Sequence, residues 1–362
     1  MLLRLNRELS GGAILGAICF LSLTGVHGQT GSVPKPSPSP KPARRKPVAP
    51  VVQVSPTPSA TPASRVTVTV RKVVPPAGAF GSGTLLCILQ SPFINESSGI
   101  AAGRRNPGVF WTHNDSGDGA YLYAFNRSGR TVGVFMARSA FAGDWEDIAS
   151  GPGADGKGNY LYVGDIGDYG RTRSESCVYR IPEPLLSAEN RIGTKARPRL
   201  TDEPTARLLY QYPDGPHDSE ALLVHPQTGT IYLITKEEKG DAGVYKFPPV
   251  KATDNQLAPY TLEKIGALAF NENGLHPFPN RVTGGDIAPD GKRLVLRTYY
   301  AAYEWRLPDG EKVFDAVWAT TPAMVPLPLQ PQGEGICYSP DGTSLVISSE
   351  KTPTAIYELK AR

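Results

Sequence analysis

A short strand-like pattern returns five times between residues 80 and 362 of this 362-residue chain, and such repetition narrows the possible folds more than any other feature. Its copies are Leu122-Tyr123-Ala124-Phe125, Val178-Tyr179-Arg180-Ile181, Val244-Tyr245-Lys246-Phe247, Glu304-Trp305-Arg306-Leu307 and Ile356-Tyr357-Glu358-Leu359. An aromatic residue set among apolar and charged neighbours at period two reads as a half-buried strand. Each copy follows a more apolar run: Val109-Phe110-Trp111, Leu161-Tyr162-Val163, Ile231-Tyr232-Leu233-Ile234, Leu294-Val295-Leu296 and Leu345-Val346-Ile347. Each run follows an earlier strand, marked by Gly99-Ile100-Ala101, Asp147-Ile148-Ala149, Ala221-Leu222-Leu223, Asp286-Ile287-Ala288 and Gly335-Ile336-Cys337. Pro289-Asp290-Gly291 and Pro340-Asp341-Gly342 supply turn chemistry between first and second strands.

A fourth strand is expected in four repeats, over 131–136, 206–212, 262–270 and 313–320. The fifth repeat ends with the chain, and the apolar run Thr84–Leu89 is free to serve as its missing strand. The expectation is an all-β chain forming a single β-propeller of five four-stranded blades over 80–362, its ring closed by an N-terminal strand. Six blades would need a further repeat within 182–219, which reads as a long loop plus one strand. On these motifs the chain resembles secreted bacterial propellers. The Pro-Asp-Gly turns are similar to the repeats of periplasmic propellers, and the Tyr-bearing third strands to those of the low-density-lipoprotein-receptor type. Propeller phytases and five-bladed calcium-activated nucleotidases look similar in architecture, which implies an acidic, calcium-filled centre. No motif of theirs transfers onto particular residues here.

Before the repeats, residues 1–28 read as a signal peptide. Arg4 and Arg7 precede an apolar stretch opening at Ala13, and Val26-His27-Gly28 offers a cleavage site. The stretch is short for a membrane span, so secretion or a periplasmic or cell-envelope location is expected over an uncleaved anchor. Residues 29–79 form an expected Pro-rich basic disordered linker, with ten prolines between Pro34 and Pro62. It suits a spacer lying near membrane or wall. Arg65–Val74 alternates Val and Thr and reads as a short strand at the border. The linker explains the net charge of +4: residues 29–73 hold eight Lys and Arg and no acid, whereas 74–362 keeps 28 basic and 33 acidic groups. An acidic body argues against nucleic acid as a partner. A monomer is expected. Cys87, Cys177 and Cys337 lack metal-ligand spacing and are odd in number, so they read as buried apolar residues.

Strand polarity locates a site. The starts of first strands and the ends of second strands share one face near the axis. Candidate hard-cation ligands there are Asp115, Asp118, Glu146, Asp147, Asp165, Asp168, Glu220, Asp286, Glu334 and Glu350. Like charges crowded together raise one another's pKa unless a cation sits among them, and such oxygen ligands suit calcium or magnesium, which makes calcium a candidate cofactor. The same carboxylates also suit capping of turns and bracing of blades. His113, His217, Lys236, Arg281, Arg297 and Tyr299 are candidate ligand-binding residues, the histidines for proton transfer and the cations for an anion. There is no Gly-x-Ser-x-Gly elbow, no His-Glu-x-x-His and no dinucleotide fingerprint. Three functions stay open. One is a ligand-binding or scaffold propeller for an extracellular or envelope glycan, peptide or phosphoester. Another is a calcium-dependent phosphoesterase. The third is a glycoside-acting enzyme, with Glu146 and Glu334 as candidate carboxylates.

Overall fold

The computed structural model describes residues 66–70, 80–187, 192–201, 205–251, 258–270 and 281–362, all within one compact unit, Pro62–Arg362. The expected signal peptide and most of the expected linker lie outside the described residues. Two strands precede the repeats, β1 (Val66–Val70) and β2 (Thr84–Ile88). Blade 1 holds β3 (Ser97–Ala102), β4 (Val109–Asn114), β5 (Tyr121–Asn126) and β6 (Thr131–Met136). Blade 2 holds β7 (Trp145–Gly151), β8 (Tyr160–Asp165) and β9 (Ser176–Pro182). The chain then adds β10 (Arg199–Leu200) to the edge of blade 1 and returns to blade 2 as β11 (Ala206–Gln211). Blade 3 holds β12 (Ser219–Val224), β13 (Ile231–Thr235), β14 (Ala242–Lys246) and β16 (Glu263–Phe270), with β15 (Tyr260–Thr261) added to blade 2 on the way. Blade 4 is β17 (Val282–Ile287), β18 (Arg293–Thr298), β19 (Ala301–Arg306) and β20 (Ala323–Pro326). Blade 5 is β21 (Gln332–Tyr338), β22 (Ser344–Glu350) and β23 (Ala355–Lys360), completed by β2.

The ring therefore closes as the sequence led one to expect: β2 pairs antiparallel with β23, Thr84 opposite Glu358 and Ile88 opposite Ala355. Inner strands neighbour one another in the order β3, β7, β12, β17, β21 and back to β3. Among the described residues the buried apolar side chains fall into five clusters, one at each blade–blade interface. A blade is apolar on both faces because both are covered, which is why the second and third strands read as nearly continuous apolar runs. Blades 1, 2 and 3 each carry an extra parallel strand on the outer edge, β10, β15 and β1, which covers backbone groups an edge strand would expose. The last of these lies inside the segment read as linker.

One strand is corrected. Residues 313–320, read as the fourth strand of blade 4, form a 3-10 helix, Phe314–Ala319, and β20 takes the edge instead. Phe314, Val317 and Trp318 spaced three and four apart turn one face into the interface of blades 3 and 4. Asp315 fixes the helix there, accepting hydrogen bonds from the Tyr232 hydroxyl at 2.6 Å and Lys246 Nζ at 2.5 Å. Cys87, Cys177 and Cys337 are buried and free, and burial pushes the Cys87 thiol up to about 11.

Candidate functional site

Every inner strand breaks register with its neighbour near its first residues. The breaks leave Ser98, Glu146, Glu220, Thr283 and Glu334 at equivalent positions, one from each blade. A bulge re-aims the extra side chain, so these five residues form one layer at the start of the inner strands. The second strands end in register opposite Ser97, Trp145, Ser219, Val282 and Gly333, and the next residues out are Asp115, Ile166, Lys236, Tyr299 and Glu350. Two layers from five blades thus meet at one mouth of the axis.

The mouth is crowded with acid. Burial raises Glu146 well above the ordinary carboxylate range, and Glu220, Asp115 and Asp144 push it in the same direction. Burial and the neighbouring Glu334 and Asp115 raise Glu350 to about 8. Glu334 is raised to about 7, chiefly by burial, against the opposing pull of Lys236 and Arg297. Lys236 ion-pairs with Glu220, and its ammonium lies 5.2 Å from the Tyr299 ring centroid. Burial opposes the lysine charge, but Glu220 and Glu334 outweigh it and hold the group above the usual lysine value. Gln332 donates its amide to Glu334 Oε1 at 3.1 Å and also to Glu350. Arg297, fully buried, crosses into blade 5, donating to the carbonyls of Gly335 and Ser348 at 3.1 Å and to Gln330 Oε1 at 3.2 Å.

Asp144 joins this mouth although its sequence position did not mark it. Its carboxylate, with those of Asp115 and Glu146, brings ligand oxygens within 4.8 Å of one another. Asp144 lies in the turn before β7, where no strand periodicity applies. Asp165 positions it: its two oxygens accept the backbone amides of Gly143 at 3.1 Å and Asp144 at 3.0 Å, and Arg173 holds Asp165 at 2.7 Å. Burial and the surrounding acids raise Asp144 to about 6.

Other residues expected at the mouth have their oxygens engaged elsewhere. Asp147 accepts the amide of Ile148 at 2.8 Å and, across the blade boundary, that of Leu222 at 2.9 Å. Asp286 accepts those of Ile287 and Tyr338, both at 2.8 Å. These aspartates clasp neighbouring blades. Asp286 stands three residues beyond the bulge at Thr283 and lines a cavity of about 430 Å³ with Ala102, Ser150, Pro226 and Pro340, residues at or beyond the far ends of the inner strands. Replacing Asp147 with Ala strands two buried amides, at about 1–3 kcal/mol each, and is expected to lower the urea midpoint accordingly. Asp118 accepts bonds from Asn114 and Tyr123, at 2.9 and 2.8 Å, and pairs with Lys195. Asp168 caps its own turn through the amides of Thr172 and Arg173. His113 is fully buried, its ring edge-on to Trp145 at 5.7 Å, and burial lowers its pKa. His217 lies between Asp214, Tyr245 and Glu237 on blade 3.

Beside the acidic mouth opens a cavity of about 590 Å³ lined by Tyr169, Arg171, Asp218, Lys236, Glu238, Lys239, Arg281 and Tyr299. Lys236 and Tyr299 belong to both. Arg171 pairs with Glu237 at 2.5 Å and Arg281 pairs with Glu238.

No protein-family model matches the chain, and no curated protein matches it. Among solved structures it is similar to the crystal structure of RRP9 WD40 repeats, at 10% identity, with a TM-score of 0.38, over 80% of this chain and all of that one. The propeller assignment stands on sheet order and ring closure.

Proposed function

We propose that this chain is an exported ligand-binding propeller whose axial mouth is the binding face and holds a calcium ion. The observation that carries the reading is the convergence of Asp115, Glu146, Glu220, Glu334 and Glu350, from four blades, on one end of the axis. Carboxylates forced together at low solvent exposure repel one another, and a hard divalent cation relieves that repulsion. The donors are all oxygen, which suits calcium or magnesium over zinc or copper. Export rests on the sequence of residues 1–28.

A calcium-dependent phosphoesterase is the second reading, favoured by Arg171, Lys236 and Arg281 along the cavity beside the acids. Guanidinium groups suit phosphoryl oxygens, and a metal would polarise the ester.

Thermal unfolding of the full chain tests the first reading. Calcium at a hundredfold excess over Kd is expected to stabilise the fold by about 2.7 kcal/mol relative to chelator. The double variant Glu146→Gln/Glu334→Gln is expected to lose that shift while melting higher than the parent in chelator, because each carboxylate removed is repelled by other acids, Glu146 by Glu220, Asp115 and Asp144, and Glu334 by Asp115. An unchanged melting temperature on adding calcium to the parent chain would leave the acids as braces. Phosphoester turnover abolished by chelator would establish the second reading.

A further inference from the structure

The acidic mouth is divided in two by Lys236. We propose that a single divalent ion sits among Asp115, Asp144 and Glu146, while the Lys236 ammonium fills the remaining half as a tethered cation beside Glu220 and Glu334. This rests on the calcium reading above and specifies where the ion goes and how many enter.

Four observations separate the halves. First, Glu146 is only 8% exposed, yet among the described residues its carboxylate accepts no hydrogen bond. Its oxygens still reach solvent at the mouth, and a ligand oxygen of Glu146 lies within 4.8 Å of one each from Asp115 and Asp144, a cluster of like charge that an entering cation would neutralise. Second, the backbone is shaped around these oxygens. A Cβ at Gly167 would come within 2.2 Å of Glu146 Oε1 and 2.5 Å of Asp144 Oδ2, so only glycine leaves them in place. Third, Asp165 and Arg173 hold the Gly143–Asp144 backbone from behind, which fixes the Asp144 ligand before any ion arrives. Asp115 and Asp144 are half-buried, which leaves room for water or a ligand oxygen to complete the six to eight contacts calcium takes.

The fourth observation concerns the other half. Glu220 ion-pairs with Lys236, whose ammonium also lies over Tyr299. Glu334 has one oxygen on Gln332, and its other oxygen is buried without a hydrogen-bond partner among the described residues. Lys236 is the leading positive charge acting on both carboxylates, with Arg297 adding to it at Glu334. A second divalent ion would have to displace this ammonium and strand it near like charge.

Isothermal titration of the full chain with calcium chloride, and no other ligand, tests the division. The parent is expected to bind one ion. Glu146→Gln and Gly167→Ala are each expected to weaken binding by about tenfold or more. Glu220→Gln is expected to keep one ion and to weaken its binding less than Glu146→Gln does, because Glu220 acts on Glu146 through its charge and not as a ligand. Lys236→Met is expected to bind two ions, because it frees the Glu220–Glu334 half. Should Lys236→Met fail to fold, Glu220→Gln still decides. Binding abolished by Glu220→Gln but untouched by Glu146→Gln would overturn the division and keep the calcium reading. Two ions on the parent, or a folded Lys236→Met that binds one ion as the parent does, would overturn it likewise. A parent that binds no calcium overturns the reading itself and the division with it.

Discussion

Glu183→Ala is expected to cost the fold about 3–5 kcal/mol, among the largest effects of any single substitution in this chain. Glu183 follows β9 and is fully buried. Its Oε2 accepts the backbone amides of Arg104 at 3.0 Å and Arg105 at 2.7 Å. Its Oε1 accepts the Asn106 side-chain amide at 2.8 Å and the Trp111 indole N–H at 3.1 Å. One carboxylate thus organises the turn between β3 and β4 in blade 1 from the exit of blade 2. Asn106 returns the contact, accepting from the Leu186 amide at 2.8 Å. Alanine would leave these donors facing a dry gap, each with its desolvation cost and no acceptor. Urea unfolding at neutral pH is the measurement, and a melting temperature lower by roughly 10 °C should accompany it. Glu183→Gln keeps the volume and one acceptor, so it should fall between parent and alanine. An alanine variant within about 1 kcal/mol of the parent would show that water satisfies the turn and that the staple contributes little.

The second large effect is expected from cutting the ring. A chain starting at residue 80 keeps Phe80, which is buried and bridges to Ala361, and keeps β2 on β23. A chain starting at residue 90 loses both. It also removes Cys87 and Leu89 from the cluster that joins blade 1 to blade 5, where they pack with Ile94, Phe125 and Ile356. Strand pairing between the two chain ends is what holds the first blade to the last, and its loss leaves β23 as a bare edge. The shorter chain is therefore expected to lose its cooperative thermal transition and to associate, whereas the chain from residue 80 should unfold in one sharp step. Calorimetry and light scattering on the two chains make the comparison. A cooperative, monomeric chain from residue 90 would mean the inter-blade clusters alone hold the ring.

Much of the architecture was legible in the residues. Tyr or Trp among apolar and charged neighbours marked each third strand, Pro-Asp-Gly marked two of the turns, and the unassigned run at Thr84 announced closure. These are local signals, set by side-chain alternation and turn chemistry within a few residues. The helix at Phe314 escaped because a short buried segment spaced three and four apart resembles a strand until its neighbours are known. The site was half legible. Glu146, Glu220 and Glu334 stood out as acids at strand starts, and they do share a layer. Asp286 looked equivalent and is not, since Thr283 occupies the bulge position in blade 4. Asp144 and Glu183 carried no periodic signal, because each acts from a turn or a strand exit on a partner distant in sequence.

The sequence by itself thus determined the repeat, the blade number and the acidic character of one face, because each depends on short-range pattern and composition. Tertiary structure alone decided which carboxylates face the axis, which clasp blades, and where a lysine stands among them. A one-residue register break re-aims a side chain, and the groups that then meet come from strands tens to hundreds of residues apart.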